Sequence, residues 1–148
     1  MPHPLAKVLL HIVFSTKYRQ PMIHPLIEKD LHRYMSGICR NYGSPAIKIG
    51  GIADHIHIAC SLGSSVAICE LVEEIKKSSS KWMEAKGSPE FRWQNGYGVF
   101  SFRESEVPAV TRYIERQKIH HRELTFKEEY RKFLIEYCIP FDERYIWD

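Results

Sequence analysis

The stretch Asp54-His55-Ile56-His57-Ile58-Ala59-Cys60 decides how this chain is read. It is rich in β-branched residues and alternates in character, the pattern of a strand. Side chains in a strand point alternately to opposite faces, so His55 and His57 share one face and Ile56, Ile58 and Cys60 the other. One face is core. The other presents two imidazoles ~7 Å apart at the backbone. From that spacing two side chains can converge on one cation, and neutral imidazole is the commonest metal ligand. A lone His-x-His pair is more often a structural or surface feature than a metal site.

Spacing excludes two familiar uses of such a pair. A histidine-triad nucleotide hydrolase needs a third His two residues on, where Ala59 stands. A cupin metal site needs a Gly six residues before the first His and a Glu soon after the second. Ile49 stands at the first of these, and no Glu follows until Glu70. A third ligand must therefore come from another part of the chain.

Upstream, Ala46 to Ala53 is a second strand, with Gly50, Gly51 and Asp54 punctuating an antiparallel hairpin. Asp54 is either an acceptor that orients a His or a turn residue. Pro25 to Tyr42 is a helix, with Leu26, Ile27, Leu31, Tyr34, Met35 and Ile38 at three- and four-residue steps and Gly43 as its stop. Val8 to Thr16 is an apolar first strand. The loop after it, Lys17-Tyr18-Arg19-Gln20-Pro21, is basic and aromatic. It reads either as a contact for phosphates and an unpaired base or as a solvated turn.

Downstream, Ser64 or Ser65 caps a helix running from about Val66 to Ala85, which ends at Gly87-Ser88-Pro89. Lys76, Lys77, Lys81 and Lys86 with Ser78, Ser79 and Ser80 make part of it basic, for phosphate contact or simply as a solvated face. Phe91 to Phe102 is aromatic, turns at Asn95-Gly96 and continues as a strand from Tyr97. The order strand, helix, strand, strand, helix, strand is the ferredoxin-like split βαβ pattern. The expected class is α+β: an RRM-like antiparallel sheet with two helices on the isoleucine face and the histidine face left to a later element.

That later element begins at Glu104-Ser105-Glu106-Val107-Pro108, with Pro108 in its first turn, and runs to His121. Tyr113 and Gln117 lie one turn apart on one face. Arg112, Arg116, Lys118 and Arg122 make the helix basic. A final amphipathic helix spans roughly Thr125 to Tyr137.

The chain has 148 residues, a hydrophobic fraction of 44% and a net charge of +3. These values suit one globular domain over residues 1–148 and permit nucleic-acid binding without demanding it. No run approaches ~20 uncharged apolar residues, so no membrane span is expected. No secretory signal is read at Met1-Pro2-His3-Pro4-Leu5, which favours the cytoplasm. Cys39, Cys60, Cys69 and Cys138 form no CxxC pair or zinc-finger spacing and are expected to be reduced.

His55, His57, Tyr113 and Gln117 make sense together. A phenol is a poor nucleophile at neutral pH, its ordinary pKa being ~10. A divalent ion held by two imidazoles polarises a phosphodiester and offsets developing charge. A Gln117 oxygen on that ion would bring the phenol, one turn away, close to the phosphate. Taken alone, Tyr-x-x-x-Gln is more often a buried, hydrogen-bonded tyrosine.

The chain resembles the single-tyrosine HUH transposases of small bacterial insertion sequences and their relatives that mobilise repetitive extragenic palindromes. The resemblance rests on His11-Ile12-Val13-Phe14-Ser15-Thr16-Lys17-Tyr18-Arg19, Asp54-His55-Ile56-His57, Trp93-Gln94-Asn95-Gly96-Tyr97-Gly98-Val99-Phe100-Ser101, Tyr113-Ile114-Glu115-Arg116-Gln117 and Asp142-Glu143-Arg144-Tyr145. It implies that Tyr113 attacks single-stranded DNA to give a 5′-phosphotyrosine and a free 3′-hydroxyl, which later rejoins strands. It implies Mg²⁺ or Mn²⁺ on His55, His57 and Gln117, hairpin-bearing DNA ends as substrate, and a bacterial homodimer whose tyrosine helix can serve the partner's histidines. Lys17, Tyr18 and Arg19, with Arg112 and Arg116 behind them, are the expected DNA contacts. The competing readings are a non-catalytic single-strand binder on an open aromatic sheet and a host-domesticated nuclease acting on palindromic repeats.

Overall fold

The computed structural model describes residues 4–148. Four strands, β1 (Leu9–Ser15), β2 (Ala46–Ile52), β3 (His55–Ser61) and β4 (Gly98–Phe102), form one sheet in the order β2-β3-β1-β4. Every pairing is antiparallel. Helices α1 (Pro25–Asn41) and α2 (Ile68–Ala85) are the two crossovers. This is the ferredoxin-like arrangement expected from the order of elements.

The alternation of β3 sorts the two faces as its sequence requires. Ile56, Ile58 and Cys60 join Leu10, Ile12 and Phe14 of β1 in the main core, under Leu31, Met35, Leu71 and Ile75 of the two helices. Tyr34 and Trp82 stack at 5.5 Å where α1 meets α2. Burying these large side chains, each worth ~1.5–3 kcal/mol, is the main force holding the helices to the sheet.

The opposite face is covered by the chain beyond β4. A 3₁₀ turn at Glu104–Glu106 leads into α3 (Val107–Glu115), then α4 (Gln117–His120) and α5 (Phe126–Glu136). Val13, Phe100, Phe126, Tyr130 and Leu134 make a second, smaller core there. Helix α5 opens with a reciprocal cap between Thr125 and Glu128.

Two local expectations change. The helix carrying Tyr113 is not continuous: it breaks at Arg116 (φ −96°, ψ 17°), and Gln117 begins a separate short helix. Helix α2 starts two residues later than expected, with Ala67 as its N-cap and no side-chain cap bond. Ser64 and Ser65 lie in the preceding turn. No helix among the described residues is long and apolar enough to cross a membrane.

Candidate active site

Register sets the floor of the site. His57 pairs with Val13 on one side and Gly50 on the other, and His55 pairs with Ser15 and Ile52. Both imidazoles are fully buried. Their cover, α3, crosses β2 at Gly50, where an added Cβ would stand 2.6 Å from the Ile114 carbonyl oxygen. Only a glycine lets the helix backbone come so close. Ile114 points inward, and its neighbours Tyr113 and Gln117 come down beside the histidines of the same chain.

The side chains meet at one carboxylate. Glu129, on the buried stripe of α5, is 1% exposed. Its Oε1 lies 2.9 Å from His57 Nε2, 3.5 Å from His55 Nε2 and 3.2 Å from His121 Nε2. Its Oε2 accepts the Tyr113 hydroxyl and, at 3.1 Å, the Gln117 amide N–H. The Tyr113 ring stacks on His120 at 4.7 Å and stands 5.7 Å from the His57 ring.

Each histidine has a second partner that orients it. His55 Nδ1 lies 2.7 Å from Asp54 Oδ1, and Asp54 also sits in the turn between β2 and β3, so both readings of Asp54 hold. His57 Nδ1 lies 2.7 Å from Nε2 of His11, a buried residue of β1 on the same face. Such outer contacts fix the tautomer and ring plane of metal-ligating histidines.

The electrostatics are those of a buried anion among imidazoles. Burial opposes ionisation of Glu129, but His57, His121 and His55 outweigh it and hold the carboxyl well below its ordinary range. Burial pushes His57 and His11 down, so both stay neutral near pH 7. Burial also acts against protonation of His121, yet its Glu129 contact raises it overall. Burial, followed by the charge and hydrogen bond of Glu129, drives the Tyr113 phenol far above its ordinary value. With these partners alone, Tyr113 is a hydrogen-bond donor and not a nucleophile.

The donor set suits a divalent cation. One ligand atom from each of His55, His57, His121 and Glu129 lies within 4.8 Å of the others. Ligands ~2.1 Å from one ion stand about 3–4 Å apart, so a small contraction brings all four into reach. Two details agree. His121 Nε2 is buried without an aligned hydrogen bond, despite its nearness to Glu129. The Gln117 amide donates to Glu129 and turns its Oε1 to His55 Nε2, 2.8 Å away. The ring nitrogen and the amide oxygen each bring a lone pair to this contact, so a proton or a cation must lie between them.

The expected ligands His55, His57 and Gln117 are thus brought together with Tyr113, and sequence reasoning missed His11, His121 and Glu129. A signal for Glu129 existed: it interrupts the apolar stripe Phe126, Tyr130, Phe133, Leu134. The expected DNA contacts are more dispersed. Lys17–Arg19 follows β1 directly and is tied to the histidine strand by Thr16 N donating to the Asp54 carbonyl at 2.9 Å. Tyr18 and Arg19 adopt positive φ, 58° and 55°, and Tyr18 is 69% exposed. Arg19 is engaged, donating to the Trp147 carbonyl at 2.8 Å. Arg112 and Arg116 are exposed on the outer side of the cover and make no ion pair among the described residues.

Among solved structures, the chain is similar to a candidate transposase from Deinococcus radiodurans R1, at 19% identity over 79% of this chain and 95% of that one, with a TM-score of 0.64. It is also similar to a REP-associated tyrosine transposase bound to a REP hairpin, at 15% identity over 82% of this chain and 73% of that one, with a TM-score of 0.61. These likenesses are of fold. No curated protein matches. The family model for IS200-like transposases matches residues 5–117, a span that includes both histidines, Tyr113 and Gln117 and stops short of His121 and Glu129. The chain belongs to the IS200-like transposase family.

Proposed function

We propose that this transposase is a metal-dependent endonuclease and strand transferase for single-stranded DNA, with Tyr113 as its nucleophile. The observation that carries the reading is the meeting of the Tyr113 hydroxyl, the Gln117 amide and the His55 and His57 imidazoles at the one buried carboxylate of Glu129. Tyr113 Oη attacks the phosphorus, and the bond to the 3′-oxygen breaks. The products are a 5′-phosphotyrosine and a free 3′-hydroxyl. The phenolic proton passes to solvent water along its hydrogen bond to Glu129 Oε2, and the departing 3′-oxygen takes a proton from water. In the reverse sense, a 3′-hydroxyl attacks the phosphotyrosine and rejoins a strand without external energy.

His55, His57, His121 and Glu129 would hold Mn²⁺ or Mg²⁺, with the Gln117 oxygen beside them. When bound, the ion supplies positive charge to the phosphate oxygens and favours the phenolate. The chain's own residues orient the reactants: Asp54 and His11 fix the imidazoles, and the His120 ring holds the phenol by stacking. Tyr18 on its strained turn presents an exposed ring, with Lys17 Nζ 5.6 Å from its centroid, to an unpaired base, while Lys17, Arg112 and Arg116 offer charge to the backbone. Arg19 would contribute after leaving Trp147. The solved neighbour bound to a REP hairpin supports hairpin-bearing DNA as substrate. The nearness of Tyr113 to the histidines of its own chain supports a site completed in cis, with a homodimer bringing two such sites to two DNA ends.

The test is a denaturing gel of the protein incubated with hairpin-bearing single-stranded DNA and Mn²⁺. A covalent protein–DNA band that disappears in Tyr113→Phe is the expected result. Binding without such a band under Mn²⁺ or Mg²⁺ would instead establish a non-catalytic single-strand binder.

A further inference from the structure

Beside Tyr113, a cavity of about 390 Å³ opens between α3 and α5. That volume is at the lower end of the ~300–1,000 Å³ of small-ligand pockets, the size class of a single nucleoside. Its apolar walls come from Val110 and Leu124, and its aromatic wall from Phe133 and Tyr137. The wall is held in place: Phe133 stacks on Phe100 at 4.9 Å, and the Tyr137 hydroxyl donates to the Ser101 carbonyl at 2.8 Å. Tyr113 forms the inner end.

The charges of this cavity are uneven. Glu136 lines it without a hydrogen bond or ion pair among the described residues. Its field reaches the phenol, being one of the influences that raise Tyr113. Glu106 also lines it, but its Oε1 accepts the Arg103 backbone N–H at 2.9 Å. Lys132 is the one lysine of the lining. A phosphate would meet three carboxylates here, those of Glu106, Glu129 and Glu136, for one ammonium. A nucleobase fits better: its faces stack on aromatic rings, and an exocyclic amine donates to a carboxylate, as cytosine N4 does to Glu or Asp. Thymine carries no such amine.

We propose that this cavity receives one unpaired, amine-bearing base of the nucleotide that flanks the phosphate attacked by Tyr113, with Glu136 accepting from the exocyclic amine and Lys132 meeting the sugar-phosphate at the mouth. The proposal rests on the single-strand DNA reading above, and it adds a position-specific base preference that the metal cluster does not supply. A base drawn into the cavity would take its phosphate to the Tyr113 end of the pocket.

The test uses the full-length protein without added metal, labelled with ¹⁵N and titrated with dCMP, dAMP, dGMP and TMP. Amide signals of Val110, Leu124 and Phe133 should shift saturably with the three amine-bearing nucleotides, and TMP should bind about tenfold more weakly. Val110→Trp, which fills the cavity, should abolish the shifts. Because that variant can disturb folding, Glu136→Gln, an exposed change, serves beside it and should bring TMP level with dCMP while leaving the fold intact. Shifts confined to other residues, or equal binding of TMP to the wild-type protein, would overturn the proposal. The titration requires no cleavage, so loss of the Tyr113 adduct with intact nucleotide binding would sink the catalytic reading and leave the cavity assignment standing.

Discussion

The Ile114 carbonyl lies directly over Gly50, across β2 from the histidine strand, with no room for a side chain between them. This contact sets the height of the tyrosine helix above the two imidazoles. Gly50→Ala would stand 2.6 Å from that oxygen and 2.7 Å from Ile114 Cγ2. Backbone cannot move aside as a flexible side chain does, so α3 must rise. Overpacking of this kind costs about 1–3 kcal/mol. Denaturant unfolding should report that loss, and formation of the covalent DNA adduct should fall more steeply than stability does. Gly50→Val should exceed Gly50→Ala on both measures. Wild-type adduct formation in Gly50→Ala would show that the helix height does not matter.

The proposed cation site makes a second prediction. Three imidazoles and one carboxylate suit Mn²⁺ better than Mg²⁺, which prefers oxygen ligands and retains water. Adduct formation should therefore be stronger with Mn²⁺ at equal concentration and vanish with EDTA. Glu129→Gln keeps the shape of the side chain and removes its charge. It should weaken Mn²⁺ binding by at least the ~10–100-fold typical of lost supporting contacts, measured by calorimetry. His121→Ala should weaken it too. If only His55, His57 and Gln117 changes affect Mn²⁺ binding, then α5 merely covers the site.

Legibility tracks local periodicity. The β3 alternation is readable because strand geometry alone dictates which side chains share a face, and Tyr113 pairs with Gln117 because one turn separates them. The parts that escape the sequence depend on tertiary placement. Nothing in the order of elements says that α5 will bring Glu129 to His57, 72 residues away in sequence. His11 is hidden in an apolar strand, although its alternation with Leu10 and Ile12 assigns it to the histidine face. The break at Arg116 has no Gly or Pro to announce it. Even so, Gln117 still reaches back to the Tyr113 carbonyl, its Nε2 donating at 3.4 Å, so the helical spacing survives the break.

DNA contact should separate into stacking and charge. Tyr18 is held outward by two consecutive residues of positive φ, a conformation that costs of order 1–3 kcal/mol per residue and persists only where the surroundings enforce it. Tyr18→Ala should lower affinity for single-stranded DNA by about 1–3 kcal/mol, the worth of one stacked base, and Tyr18→Phe should not. Arg112→Ala with Arg116→Ala should weaken binding uniformly across sequences and flatten its dependence on salt. Fluorescence anisotropy at two or more salt concentrations distinguishes the two effects. An unchanged salt slope in the double variant would remove that helix face from the interface.

Acid stability should depend on a histidine remote from the chemistry. His32 of α1 has its Nε2 buried without a partner. Burial first, then the nearby charges of Lys118 and Lys48, lower it from 6.5 to about 4. It is therefore neutral in the fold and titrates at its ordinary value when the chain unfolds. A group with a depressed folded pKa contributes stability above its unfolded value and loses it as pH falls through the folded one. The window is thus pH 6.5 down to about 4, with a total of roughly 3–4 kcal/mol from this one group. Urea unfolding of the wild-type protein and of His32→Gln at pH 7 and pH 4.5 measures it. Stability should decline more for the wild type than for the variant across that interval. Parallel declines would mean that His32 is hydrated in the fold, and that Lys48 and Lys118 exert no effective field on it.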